Sequence, residues 1–160
     1  MKTYKAFYKS PLGPLEINAT TQSILSVEFV EEMLPEDSDL PFCLKTCLKQ
    51  IDEYFSGKRK EFLLKLDPQG TNFQRLIWQQ LEKIPYGAVI SYGEIASIIG
   101  KPKACRAVGG ANGRNPIAII IPCHRVVGSD GNLTGYGGGL WRKEWLIKHE
   151  RGHSPNNITA

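Results

Sequence analysis

The sequence predicts an α+β fold of two small lobes: an N-terminal antiparallel β-sheet with a helix, then a mostly helical C-terminal lobe. Three observations carry this. Strand-like runs at Tyr4–Tyr8, Leu15–Ala19 and Ile24–Val30 are separated by turn-forming residues. Asp67-Pro68-Gln69-Gly70 then interrupts the chain as a boundary does. Beyond it, helical periodicity and two capping boxes take over. The expected organisation is residues 1–66 as an N-terminal lobe, 71–150 as a second domain, and 151–160 as a frayed tail rich in Gly, Pro, Ser and Asn.

Within the first lobe, Ser10-Pro11-Leu12-Gly13-Pro14 reads as a hairpin connection. An acidic loop runs from Glu31 to Asp39. Leu44, Cys47, Leu48, Ile51 and Phe55 then recur at helical spacing, with Gly57 as the stop. Thr71-Asn72-Phe73-Gln74 opens a helix carrying Phe73, Leu76, Ile77, Leu81 and Ile84. Pro85-Tyr86-Gly87 breaks the chain, and Ser91-Tyr92-Gly93-Glu94 opens a short helix through Ile99. After Gly100-Lys101-Pro102, a further helix fits Lys103 to Asn112, so the pair forms a helix-turn-helix pattern. Ala104, Ala107, Gly109, Gly110 and Ala111 leave that second helix almost bare on one side, with Arg106 as its long residue. Such a face fits another protein surface or a DNA groove, and Arg106 fits either an internal carboxylate or a base stack.

The aliphatic run Ile117-Ala118-Ile119-Ile120-Ile121 reads as a buried strand. The Gly135–Gly139 run lacks the lysine and spacing of a phosphate loop and reads as a mobile rim. A last helix begins near Leu140, with Trp141, Trp145 and Leu146 expected mostly in the core and Glu150 near its end.

Composition describes a globular protein, with 41% hydrophobic and 22% charged residues in 160. No run approaches the roughly 18 apolar residues of a membrane span. The N-terminus lacks a signal-peptide core, which predicts a cytoplasmic protein, or a nuclear one in a eukaryote. Cys43, Cys47, Cys105 and Cys123 have no disulfide-framework spacing. Cys43 and Cys47 lack a second ligand pair, so neither a metal nor another cofactor is expected. The net charge of +4 is unevenly distributed: residues 101–125 hold five basic side chains and no acidic one. Such a field suits an anionic partner, or an ordinary solvated basic face.

The chemistry concentrates at Ile121-Pro122-Cys123-His124-Arg125-Val126. A thiol, an imidazole and a guanidinium in sequence supply a nucleophile, a base and a cation, and both neighbours would lower the thiol pKa. A buried structural cysteine is the plainer reading of the dipeptide alone.

Several motifs together resemble the O6-alkylguanine-DNA alkyltransferase family. They are Ile84-Pro85-Tyr86-Gly87, Ser91-Tyr92-Gly93, Arg106-Ala107-Val108-Gly109-Gly110-Ala111, Asn115-Pro116 and Ile121-Pro122-Cys123-His124-Arg125-Val126. The match runs from about Phe73 to Glu150, and the first 60 residues fit only as a variable N-terminal lobe. The resemblance implies a single irreversible transfer of an alkyl group from O6-alkylguanine, with O4-alkylthymine as a second candidate substrate, to Cys123. It implies His124 as base, Glu150 orienting it through a Glu–His–water–Cys relay, Tyr92 as proton donor toward guanine N3, and Asn115 holding the pocket turn. Tyr92, Cys123, Val126, Tyr136, Gly137 and Gly138 would grip the flipped base. The helix-turn-helix would enter the minor groove of double-stranded DNA, with Arg106 filling the stack. Lys101, Lys103, Ala107, Gly109, Ala111 and Arg114 would make the remaining contacts. No zinc site is carried over, because no Cys precedes Cys43 and no His precedes His124. A monomer is expected.

Three other functions share some of these features. A Cys-His hydrolase would turn over many times. A damage-binding relative would lack the acceptor cysteine, and a plain helix-turn-helix regulator would leave Cys123 and Glu150 without a task.

Overall fold

The structure, a computed structural model, describes residues 1–153; of the expected tail, residues 154–160 lie outside the described residues. Two compact units form. One comprises Met1–Gln69 with Pro116–Ala118, and the other Gly70–Asn115 with the described residues from Ile119 to His153.

The first unit is built on strands β1 (Tyr4–Ser10), β2 (Gly13–Ala19) and β3 (Ile24–Phe29), antiparallel in the order β1-β2-β3. The hairpin closes over Pro11 and Leu12, with Ser10 opposite Gly13, whose φ of 109° suits a residue without Cβ. Leu15, Ile17 and Ala19 alternate into the core at full burial. Helix α1 (Phe42–Phe55) buries Leu44, Cys47, Gln50, Ile51 and Tyr54 on one stripe. Gln50 is the polar member, and its amide holds the backbone of Leu63 from both sides, at 2.9 and 3.2 Å.

The acidic loop has a structural task. Asp37 accepts from the Lys5 amide at 2.7 Å and Glu36 from Phe7 at 3.2 Å, while Asp37 N donates to Lys5 O. Its carboxylates therefore occupy the open edge of β1. The opposite edge is met by bridges from Ile24 to Leu66 and from Val27 to Ile117.

In the second unit, helix α2 (Asn72–Leu81) starts with the full capping box of Thr71 and Gln74. Strand β4 (Ile90–Ser91) leads into α3 (Tyr92–Ile98), where Ser91 accepts from Glu94 N at 3.0 Å. Helix α4 (Cys105–Gly113) follows, starting two residues later than expected. Strand β5 (Val126–Val127) pairs in parallel with β4, and α5 (Leu140–His153) completes the described chain.

Three expectations are corrected. The aliphatic run is not a strand: Ile117 makes one bridge, residues 118–120 turn, and Ile119 takes φ of 72°. Pro116 and Pro122 remove backbone donors on both sides, and five apolar residues in a row reflect burial rather than pleating. A positive φ at a β-branched residue is a strained conformation, held here by complete burial of the side chain. The last helix extends through Arg151, Gly152 and His153, into the expected tail. Trp141 is 57% exposed, and the buried face of α5 is instead Lys143, Leu146, Ile147 and Glu150.

Candidate active site

The second unit gathers the Cys-His-Arg triplet and α5 into one buried polar cluster. Cys123, His124 and Arg125 form a 3₁₀ turn and do not continue a strand. That turn sends the two side chains after the cysteine toward α5, where Glu150 receives both. His124 Nε2 lies 2.5 Å from Glu150 Oε2. Arg125 forks onto the same carboxylate, Nε to Oε1 at 2.8 Å and Nη2 to Oε2 at 3.1 Å. Its third nitrogen donates to Ile84 O at 2.7 Å, and the Gly87 amide reaches Glu150 Oε1 at 3.3 Å.

The electrostatics follow from this count of donors. Burial pushes the Glu150 carboxyl up, but the charges and hydrogen bonds of His124 and Arg125 outweigh it and hold Glu150 well below the carboxylate range. Glu150 is therefore the fixed anion. His124 is pushed down by burial, against the pull of Glu150, so the neutral imidazole is favoured. Facing a carboxylate, its Nε2 carries the proton and Nδ1 keeps a lone pair. Nδ1 is buried and has no hydrogen-bond partner among the described residues.

Around Cys123 the balance differs from the sequence reading. Burial raises the thiol pKa, opposed by a hydrogen bond from Asn115 and by the charge of Lys143. The cation that serves the thiol is thus Lys143 of α5. Arg125 is committed to Glu150. Lys143 is itself buried and pushed down to about 8 by desolvation, partly offset by Cys123. Its ammonium donates to Thr134 O at 2.7 Å.

Asn115 donates to Ile121 O at 2.7 Å across the strained turn, and Asn112 donates to Cys123 O at 3.3 Å. Two amides thus tie down the backbone on either side of Pro122. Tyr92, at the start of α3, accepts from Thr134 Oγ1 at 3.0 Å. Tyr136 buries its hydroxyl without a partner among the described residues, and burial, reinforced by Cys123, raises its pKa far above the ordinary value. Val126 is buried, whereas Gly137 is exposed and Gly138 half-buried.

The basic face is open by contrast. Lys101, Lys103, Arg106, Ala107 and Arg114 are exposed, and Arg106 makes no ion pair among the described residues, so no internal carboxylate claims it. Two of the small residues do not share this face. Ala111 is buried, and its carbonyl accepts from Trp78 Nε1 at 2.9 Å. Gly109 is half-buried, and a Cβ there would meet the Tyr92 ring at 3.8 Å. Among the described residues, no group of three or more His, Cys, Asp or Glu is placed to hold a metal. No helix is long and apolar enough to cross a membrane among them.

The sequence reading missed Lys143, Thr134, Asn112 and the Glu150 partnership of Arg125. One signal for Lys143 was present. Lys143, Leu146, Ile147 and Glu150 fall at i, i+3, i+4 and i+7, a single helical stripe with a cation and an anion among apolar residues.

A buried thiol between a cation and an amide, beside a His–Glu pair and an open basic helix, defines a cysteine-dependent protein acting on an anionic partner. The comparisons give the family. Residues 72–152 match the 6-O-methylguanine DNA methyltransferase DNA-binding domain, and residues 3–68 its ribonuclease-like domain. A methylated-DNA–protein-cysteine methyltransferase of Methanosarcina barkeri is 48% identical over 153 residues, covering 92% of this chain and 96% of the relative. The protein of that name from Mycolicibacterium paratuberculosis is 46% identical over 154 residues, covering 94% and 93%. The crystal structure of the Mycobacterium tuberculosis O6-methylguanine methyltransferase superposes with a TM-score of 0.86 at 41% identity over 98% of both chains. Its counterpart in complex with DNA gives 0.84 at 43% identity over 95% of both. The chain belongs to the methylated-DNA–protein-cysteine methyltransferase family.

Proposed function

We propose that this protein repairs DNA by moving the alkyl group of O6-alkylguanine to Cys123 in one irreversible step. Family membership carries the reaction class, and the single observation that carries the residue assignment is the buried ladder Arg125–Glu150–His124, which ends on an Nδ1 without a partner among the described residues, in the residue that follows Cys123. A water between Nδ1 and the thiol would pass the thiol proton to the imidazole. Glu150, fixed as an anion, stabilises the imidazolium that results. The sulfur lone pair then attacks the alkyl carbon, the C–O6 bond breaks, and its electrons enter the purine. Tyr92 donates its proton to N3 as that charge develops, so neutral guanine leaves. Lys143 and Asn115 favour the thiolate before the attack. The product is a thioether, whose C–S bond water does not hydrolyse, so each chain acts once.

The substituent on O6 is hidden inside a duplex, so the nucleotide must be flipped out. Tyr136, Gly137, Gly138 and Val126 would line the receiving pocket. Double-stranded DNA is the partner, and supporting this is the DNA complex of the similar mycobacterial protein. Arg106 and Ala107 would enter the minor groove, with Lys101, Lys103 and Arg114 on phosphates. Gly109 and Ala111 act from beneath, where α4 meets the Tyr92 ring and, through the Ala111 carbonyl, Trp78. The protein acts as a monomer on the DNA of its own cell, in the cytoplasm where there is no nucleus.

Counting repaired bases tests the reaction. With substrate duplex in excess, this reading expects demethylated guanine to stop at one per chain. Continued product formation would instead make Cys123 a turnover nucleophile of hydrolase type.

A further inference from the structure

We propose that Thr134 is a positioning residue for the transfer: its hydroxyl donates to Tyr92 Oη and turns the phenolic proton toward the leaving base. This rests on the reading of Tyr92 as the proton donor. A phenol has one proton to give and accepts at oxygen. Thr134 Oγ1 and Tyr92 Oη stand 3.0 Å apart, and with Thr134 as the donor of this bond the Tyr92 proton is left for another acceptor. The same bond strengthens as the phenol gives up its proton, because a donor aimed at developing negative charge gains most at that moment.

Thr134 is built to hold this direction. It lies in a loop whose other small residues are Gly128, Gly131, Gly135, Gly137, Gly138 and Gly139, so the loop has few side chains to fix it. At Thr134 it is pinned: Lys143 Nζ donates to the Thr134 carbonyl at 2.7 Å, and the same ammonium stands 5.8 Å from the centroid of the Tyr92 ring. Backbone and hydroxyl of one residue thereby connect the cation beside Cys123 to the oxygen of Tyr92. A β-branched side chain at this place has a stiff χ1, which serine lacks. Thr134→Val removes only the hydroxyl and leaves the carbonyl that Lys143 holds.

The test is single-turnover methyl transfer from an O6-methylguanine duplex to the full chain, for wild type, Thr134→Val, Thr134→Ser, Tyr92→Phe and the Thr134→Val/Tyr92→Phe double variant. The expected result is a loss of about five- to tenfold for Thr134→Val, the size of one hydrogen bond, with duplex affinity unchanged. Thr134→Ser recovers most of the rate. In the Tyr92→Phe background, Thr134→Val costs nothing further. Alkylation of Cys123 by iodoacetamide, followed on its own peptide, needs no protonated leaving base and keeps its wild-type rate in Thr134→Val. An unchanged transfer rate, an equal loss without Tyr92, or a parallel loss with iodoacetamide overturns the proposal while leaving the alkyltransferase reading intact. Wild type that transfers no methyl group overturns both.

Discussion

The second unit contains two polar regions built on opposite terms. The cluster around Cys123 is buried and organised on one anion: Glu150 alone accepts from His124, Arg125 and Gly87, while His124 Nδ1 and the Tyr136 hydroxyl have no partner among the described residues. The face of α4 with the turns on either side of it is exposed at Lys103, Arg106 and Arg114. Low dielectric makes each charge in the first region costly to misplace, so its geometry is fixed before any substrate arrives. Water and salt screen the second, which suits a partner recognised by its phosphates whatever its sequence. Chemistry and grip are therefore separable: damage to the cluster should abolish transfer while leaving binding, and damage to the face should do the reverse.

Glu150→Gln strikes hardest. It leaves Arg125 buried without its anion, which costs about 3–5 kcal/mol of stability by urea unfolding. Transfer should fall by about 100-fold or more in the fraction that remains folded. Equal loss of DNA affinity would break the separation.

Titration of stability sharpens the same contrast. His124 is held below its ordinary value of 6.5, so the unfolded chain binds a proton that the folded chain resists. Stability from this group is complete above that value and is lost as pH falls through the folded pKa. Glu150, also depressed, adds a second loss with the same sign below its ordinary value of 4.5. Unfolding free energy should thus decline in two stages on acidification. His124→Asn should flatten the first stage, whereas Arg106→Ala, on the open face, should leave both unchanged.

Lys143→Met is expected to be milder. With the cation gone, burial dominates Cys123, and the pH for half-maximal iodoacetamide alkylation of that residue should move upward. The smallest effect belongs to single basic residues of the open face. Lys103→Ala should weaken duplex binding by a few-fold and reduce the slope of log affinity against log salt by about 0.9, with the transfer rate at saturation unaltered.

How much of this was legible in sequence follows from the range of the interactions. The β-hairpin, the Thr71 capping box and the helix pair depend on residues within a few positions of one another, and local chemistry specified them. The family motifs identified Cys123, His124, Glu150, Tyr92 and Asn115 as the residues to examine. The run at 117–121 misled because a hydrophobic stretch reports burial, and a bridge followed by a left-handed turn buries isoleucine as well as a strand does. Arg125 misled for another reason. It stands two residues from Cys123, but the 3₁₀ turn directs it to a carboxylate 25 residues away. Thr134 entered only through tertiary contacts that no short motif contains, and Lys143 had only its place on the helical stripe with Leu146, Ile147 and Glu150 to mark it.

The most direct test of the account is a mass measurement on the intact protein after incubation with duplex DNA bearing one O6-methylguanine, followed by mapping of its four cysteines. The account predicts one methyl group per chain, on the Cys123 peptide and not on those of Cys43, Cys47 or Cys105, and none in Cys123→Ala although that variant still binds the duplex. Binding without any gain in mass, or a methyl group on another cysteine, would contradict it.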